Sequence, residues 1–98
     1  VVAAGASEGE IVHVDSFGNL VTSLTSACVD ATGPREHLEA EVGSARVKGV
    51  ARTYCDAPPG ALLAYIGSTG RLEIAIRDGS AAKRLGAGLG AEVSLRRV

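Results

Sequence analysis

Asp15, Phe17 and Asn19 fall within one short segment, Val14-Asp15-Ser16-Phe17-Gly18-Asn19-Leu20. A flat apolar ring beside a carboxylate and an amide suits a planar ligand with polar edges, such as a nucleobase. The ring offers a face, and the amide offers both a donor and an acceptor. The same letters also build a tight turn, because Asp, Ser, Gly and Asn all favour chain reversals. A second candidate is the run Ala64–Ile76 around the turn Gly67-Ser68-Thr69-Gly70. There two hydroxyls and the exposed amides of a glycine-flanked loop could meet a carboxylate or phosphate. An ordinary hairpin turn explains those residues equally well.

No nucleophile-and-base constellation stands out elsewhere. The chain has no GxSxG elbow, no HExxH, no P-loop and no dinucleotide-binding glycine fingerprint. His13 and Asp15, at i and i+2 on one strand face, could orient an imidazole, but such a pair is commonly a surface contact. Cys28 and Cys55 belong to no CxxC pair and read as two reduced thiols. Together with His13 and His37 they match no zinc spacing. The sequence therefore implies no metal and no cofactor.

The elements that would hold these loops are short strands. Gly9–Asp15 and Leu20–Leu24 read as a first pair, joined by the Asp15–Asn19 loop. Thr25–Glu36, with Gly33-Pro34, reads as an irregular excursion. Leu38, Ala40 and Val42 then alternate with polar residues, as do Ala45, Val47 and Gly49. Gly43-Ser44 between them fits a type II′ hairpin turn. That register sets Glu41 against Arg46 and Glu39 against Lys48 on the solvent face, pairs worth about 0.2–1 kcal/mol each. After the stop at Pro58-Pro59-Gly60, Ala61–Gly67 and Arg71–Arg77 read as strands. In the latter, Leu72, Ile74 and Ile76 face one way, while Arg71, Glu73 and Arg77 face the other. Ser80–Gly86 reads as a capped helical turn, and Ala91–Val98 as a last strand. About seven short strands and one helical turn predict an all-β fold, a small closed or nearly closed antiparallel barrel, with a β-sandwich as the rival.

The bulk composition agrees. Ninety-eight residues, 46% of them hydrophobic, make one core, and with only Phe17, Tyr54 and Tyr65 aromatic that core must be aliphatic. A net charge of −1 gives no reason to expect nucleic acid or an anionic membrane as partner. No apolar run approaches the ~20 residues of a membrane span, and the start lacks the features of a signal peptide, so a cytoplasmic location is expected. Methionine is absent even from position 1, which reads as a piece of a longer protein. Residues 1–8 would be a linker remnant and residues 9–98 a C-terminal barrel domain.

Taken in order, VDSFGNLVTSL at residues 14–24, the Thr53-Tyr54 pair and PPGALLAYIGSTGRLEIAIRDGSAAKRLG at residues 58–86 carry a family resemblance. They resemble the C-terminal domain of the S-adenosyl-L-methionine (SAM) hydrolases, or SAM hydroxide adenosyltransferases, relatives of the bacterial fluorinase and chlorinase. The resemblance implies a trimer in which a small C-terminal barrel follows a larger N-terminal α/β domain. The adenosyl ligand would lie between the α/β domain of one subunit and the barrel of its neighbour. Water would attack the 5′ carbon of SAM, releasing adenosine and L-methionine, with the water-activating residues in the α/β domain. By the same resemblance Asp15 would hold the methionine ammonium, Phe17 would flank the ligand and Asn19 would read the adenine edge. Ser68 would meet the methionine carboxylate, Tyr65 would line the methionine side, and the backbone near Ile76 and Asp78 would face the adenine. Thr69 stands where the halogenating relatives carry arginine, and Val21 where they carry tryptophan. Both departures point away from halogenation. The expectation that follows is geometric: the Asp15–Asn19 and Ser68-Thr69 tips should meet as one wall of a cleft. The rival readings are a nucleotide- or oligonucleotide-binding module and a purely structural oligomerisation domain.

Overall fold

Alternating aliphatic residues produce a run of strands too short to bury a flat sheet, and the chain resolves this by rolling the sheet up. The computed structural model describes residues 2–3 and 6–98. The strands are β1 (Val2–Ala3), β2 (Ala6–Val14), β3 (Leu20–Thr25), β4 (Leu38–Val42), β5 (Ala45–Lys48), β6 (Val50–Ala51), β7 (Leu62–Ile66), β8 (Arg71–Ile76) and β9 (Glu92–Arg97). Two short helices, α1 (Ser26–Thr32) and α2 (Ala81–Leu85), complete the fold. Neither is long and apolar enough to cross a membrane. Strand order is β5-β4-β9-β2-β3-β8-β7-β6, with β1 beside β2.

The two ends of that order, β5 and β6, are consecutive in the chain and separated only by Gly49. Gly49 takes φ +78°, and its N–H donates to the Leu38 carbonyl at 2.6 Å. One bent strand thus pairs with β4 through its first half and with β7 through its second. The barrel is nearly closed, and its two would-be edges are protected by being the same strand. Counting β5 and β6 as one stave and leaving out the short β1 gives seven staves around the ring. An odd ring cannot be antiparallel throughout, and one neighbouring pair, β6 and β7, is indeed parallel.

The interior is aliphatic. Ile11, Leu20, Leu38, Leu72, Ile74, Val93 and Leu95 are essentially inaccessible, and Val29 of α1 and Ala81 of α2 join the same core. The predicted hairpin forms with the predicted register, Glu41 opposite Arg46 and Glu39 opposite Lys48. Gly43 has φ +60° while Ser44 stays at negative φ, as a II′ turn requires. Arg46 donates to Glu41 at 3.1 Å. The helix of residues 81–85 is capped by Ser80, whose hydroxyl accepts from the Lys83 N–H at 3.2 Å, and ends at left-handed Gly86.

Three expectations need correction. β2 begins at Ala6, so residues 6–8, read as linker, are barrel strand paired with β9. The inward residue there is Ser7, which gives no apolar signal; its hydroxyl lies 2.6 Å from that of Thr32. The rest of the expected linker, residues 1, 4 and 5, lies outside the described residues. Residues 26–32, read as irregular, form α1, capped by Thr25 and ended by Gly33. With only Val29 and Thr32 buried, so short a helix shows no period. Glu39 is not on an open solvent face, and Glu73 on β8 is covered in the same way. They are 8% and 7% exposed, each on a strand with neighbours on both sides.

Gly49→Ala should lower stability by about 1–2 kcal/mol, the cost of holding a Cβ-bearing residue at left-handed φ. No heavy atom lies within 4 Å of the new Cβ, so the loss is purely one of backbone. Urea unfolding of the chain measures it.

Candidate functional site

The β2–β3 loop is built around Asp15. Its Oδ1 accepts from the N–H of Phe17 at 2.9 Å and of Asn19 at 3.0 Å, while its own N–H donates to the Asn19 carbonyl at 3.1 Å. Gly18, at φ +84°, packs directly on the helix α2 cap, where a Cβ would collide with Ser80. The Gly18 carbonyl accepts from the Ala82 N–H at 2.9 Å. A loop tied at both ends and docked on a helix can hold an apolar ring in water. Phe17 is 76% exposed. Asn19 is the reverse, 8% exposed, yet its amide makes no side-chain hydrogen bond among the described residues.

Facing this loop is a second wall fastened by Tyr54. The Tyr54 hydroxyl donates to the Ile76 carbonyl at 3.1 Å and accepts from the Asp78 N–H at 2.7 Å. It thereby clamps a turn in which the Gly79 N–H donates to Ile76 at 3.1 Å and Asp78 sits at φ +61°. Behind Tyr54, Thr53 and Asp56 cap one another, and the Thr53 N–H holds the Asp56 carboxyl below the usual carboxylate range. Arg77 donates to the carbonyls of Cys55 at 3.2 Å and Ala57 at 2.8 Å. The Tyr54 and Tyr65 rings meet edge to face, centroids 6.1 Å apart and planes at 67°. Tyr65 donates to Glu73 at 3.2 Å. Burial, reinforced by the Glu73 carboxylate, pushes the Tyr65 phenol up to about 12, so it stays protonated at neutral pH.

Between these walls lies a cleft of about 590 Å³ lined by Phe17, Asn19, Tyr54, Tyr65, Asp78 and Gly79. All three aromatic residues of the chain line it and none is in the core. An apolar, aromatic concavity with an uncommitted amide at its wall is chemically a place for a flat, partly polar molecule.

Of the predicted site residues, Phe17, Asn19, Tyr65 and Asp78 come together here. Asp15 shapes the loop through its bonds to two of its amides and is not among the residues lining the cleft. Ile76 buries its side chain in the core, and its carbonyl is held by Tyr54 and Gly79. Ser68 and Thr69 are exposed and line no part of the cleft. The two tips do not meet. β3 and β8 are antiparallel, so the β2–β3 loop and the β7–β8 turn lie at opposite ends of the pair. The Ser26 N–H reaches the Gly70 carbonyl at the far end of β3, 2.9 Å away. The six residues of β3 separate the loops by about 20 Å.

Tyr54, Gly79 and Glu73 were missed as site residues. The signal for Tyr54 was the scarcity of aromatics: a core that is aliphatic leaves few places for a tyrosine except a surface with a purpose. His13 is exposed, Cys28 and Cys55 are free, and no three His, Cys, Asp or Glu gather for a metal among the described residues.

Fold and cleft together define a small all-β barrel with an aromatic pocket on its outer wall. The chain belongs to the SAM hydroxide adenosyltransferase C-terminal domain family, which it matches over residues 9–94. It is 43% identical over 88 residues to the (R)-S-adenosyl-L-methionine hydrolase of Thermus thermophilus, spanning 90% of this chain and 31% of that protein. It is 38% identical over 76 residues to the enzyme of the same name from Salinispora arenicola, spanning 78% of this chain and 27% of that one. The chain therefore covers less than a third of either relative. Among solved structures, an uncharacterized conserved protein from Thermotoga maritima superposes with TM-score 0.85 at 31% identity, over 99% of this chain and 38% of its own. A conserved hypothetical protein from Thermus thermophilus does so with TM-score 0.70 at 40% identity, over 93% and 34%.

Tyr54→Phe keeps the ring and removes the clamp on Ile76 and Asp78. A loss of about 0.5–1.5 kcal/mol is expected, the net worth of a hydrogen bond whose exposed Asp78 N–H can turn to water instead, and thermal unfolding should show it.

Proposed function

We propose that this chain is the ligand-binding C-terminal domain of a longer enzyme that hydrolyses SAM to adenosine and L-methionine. The observation that carries this reading is the pairing of a covered Asn19, its amide uncommitted, with an exposed Phe17 ring in one cleft. An asparagine amide matches the donor–acceptor edge of adenine, and an aromatic face stacks on the base. The names of the relatives supply the reaction class, and the family match supplies the domain's place in it.

The barrel contributes contacts rather than chemistry. Asp15 orients the loop, Asn19 and Phe17 take the adenine, and the Asp78 turn closes its other side. The methionine half runs past Tyr65, and Ser68 and Thr69, which line no part of the cleft, are left out of this reading. Water activation falls to an N-terminal α/β domain of the same protein, in a homotrimer whose ligand is shared between neighbouring subunits. Phe17, open to solvent here, is then covered by that neighbour. The enzyme works in the cytoplasm with neither metal nor cofactor, and nucleic acid and membrane are not its partners.

Incubated alone with SAM, the 98-residue chain should yield no adenosine. Turnover by the isolated barrel would overturn this division of labour. In the full-length enzyme, Asn19→Ala should raise KM for SAM about tenfold, the worth of a hydrogen bond to a buried edge, with the melting temperature almost unchanged. A fall in stability with KM unaltered would make Asn19 a turn residue only, and the domain a structural one.

A further inference from the structure

Glu73 is a carboxylate where the fold does not need one. It sits mid-strand on the outer face of β8, between Val21 of β3 and Tyr65 of β7, and is 7% exposed. An aliphatic side chain would cover that face without the desolvation that a buried carboxylate suffers. Its one side-chain hydrogen bond among the described residues is to the Tyr65 hydroxyl, 3.2 Å away, with tyrosine as donor. Gly67 keeps the slot open, since a Cβ there would collide with the Glu73 carboxylate. Sequence and geometry thus combine to hold one acceptor against one phenol.

The consequence lies on the other side of that phenol. A tyrosine hydroxyl has a single proton and two lone pairs. With the proton directed to Glu73, the oxygen can offer the cleft only lone pairs, made more electron-rich by the charged acceptor. The charged groups that act on this phenol are Glu73 and Asp15, both negative. Beside it stands the edge-to-face ring of Tyr54. Such an anionic oxygen environment favours a cation and disfavours a carboxylate.

We propose that Glu73 is a positioning residue: by accepting the Tyr65 O–H, it presents the phenolic oxygen to the cleft as an acceptor for a cationic group of the ligand. This rests on the reading of the cleft as a SAM site and adds the polarity of its Tyr65 end. That end takes the ammonium or the sulfonium of the ligand.

Calorimetric titration of the full-length enzyme with SAM and with adenosine, which carries neither cation, tests the idea. Tyr65→Phe should weaken SAM about tenfold and leave adenosine within about twofold. Glu73→Leu should do the same, while Glu73→Gln, whose amide oxygen still accepts the phenol, should restore most of the affinity. The double variant Tyr65→Phe/Glu73→Leu should be no weaker than Tyr65→Phe alone, because one residue acts through the other. S-adenosyl-L-homocysteine, which keeps the ammonium and lacks the sulfonium charge, decides between the two cations. A parallel loss with it assigns the ammonium, and a loss confined to SAM assigns the sulfonium. Full SAM affinity in Glu73→Leu, or an equal fall in adenosine affinity, would overturn the inference. Wild-type enzyme that binds neither SAM nor adenosine would instead defeat the reading of the cleft itself.

Discussion

Seven staves in a ring leave one pair of neighbours running the same way, and the whole architecture follows from where that pair is placed. Here it falls between β6 and β7, because the strand leaving β4 bends at Gly49 without reversing and joins the far side of the sheet. A barrel of this size has no surplus apolar area with which to cover an exposed edge. Making both edges from a single kinked strand removes the problem within a handful of residues. The cost is concentrated in one left-handed backbone position, which only glycine occupies without strain.

With the interior sealed by aliphatic side chains, the outer wall is free for other work. Asp15 and Tyr54 organise it in the same manner, each using one polar group to hold two backbone positions. Asp15 binds two amides of its own loop, and Tyr54 bridges a carbonyl and an amide across the Asp78 turn. Neither loop is long, and each is held to a neighbouring element. The β2–β3 loop leans on α2 through Gly18, and the segment around Tyr54 is pinned by Arg77. A concavity follows in which the ring of Phe17 and the amide of Asn19 stand on tethered loops. Preorganisation of this kind lowers the entropy lost on binding.

Much of this was legible from residue order. Alternation identified the Leu38–Val42 hairpin down to its register, and Ser80 and Gly86 marked both ends of a helix. Periodicity failed where the buried residue was polar, as at Ser7, or where only two side chains of a helix turned inward, as in α1. Glu73 defeated it differently. Alternation correctly put this residue on the outer face, but only the tertiary fold reveals that the outer face there is covered. The site was half visible. Phe17, Asn19, Tyr65 and Asp78 could be named from motifs, whereas the distance of Ser68 and Thr69 from them follows from the antiparallel pairing of β3 with β8. Pairing of that kind is a relation between distant segments, and no local pattern encodes it.

The exile of every aromatic ring from the interior has an optical corollary. The chain contains no tryptophan, and its two tyrosines stand together at the rim of the cleft. Ultraviolet fluorescence and near-ultraviolet dichroism of this domain are therefore dominated by the wall of the pocket, while the packing of the barrel interior is spectroscopically dark. A probe that reports the packed core in most small proteins reports, in this one, the state of its outer wall.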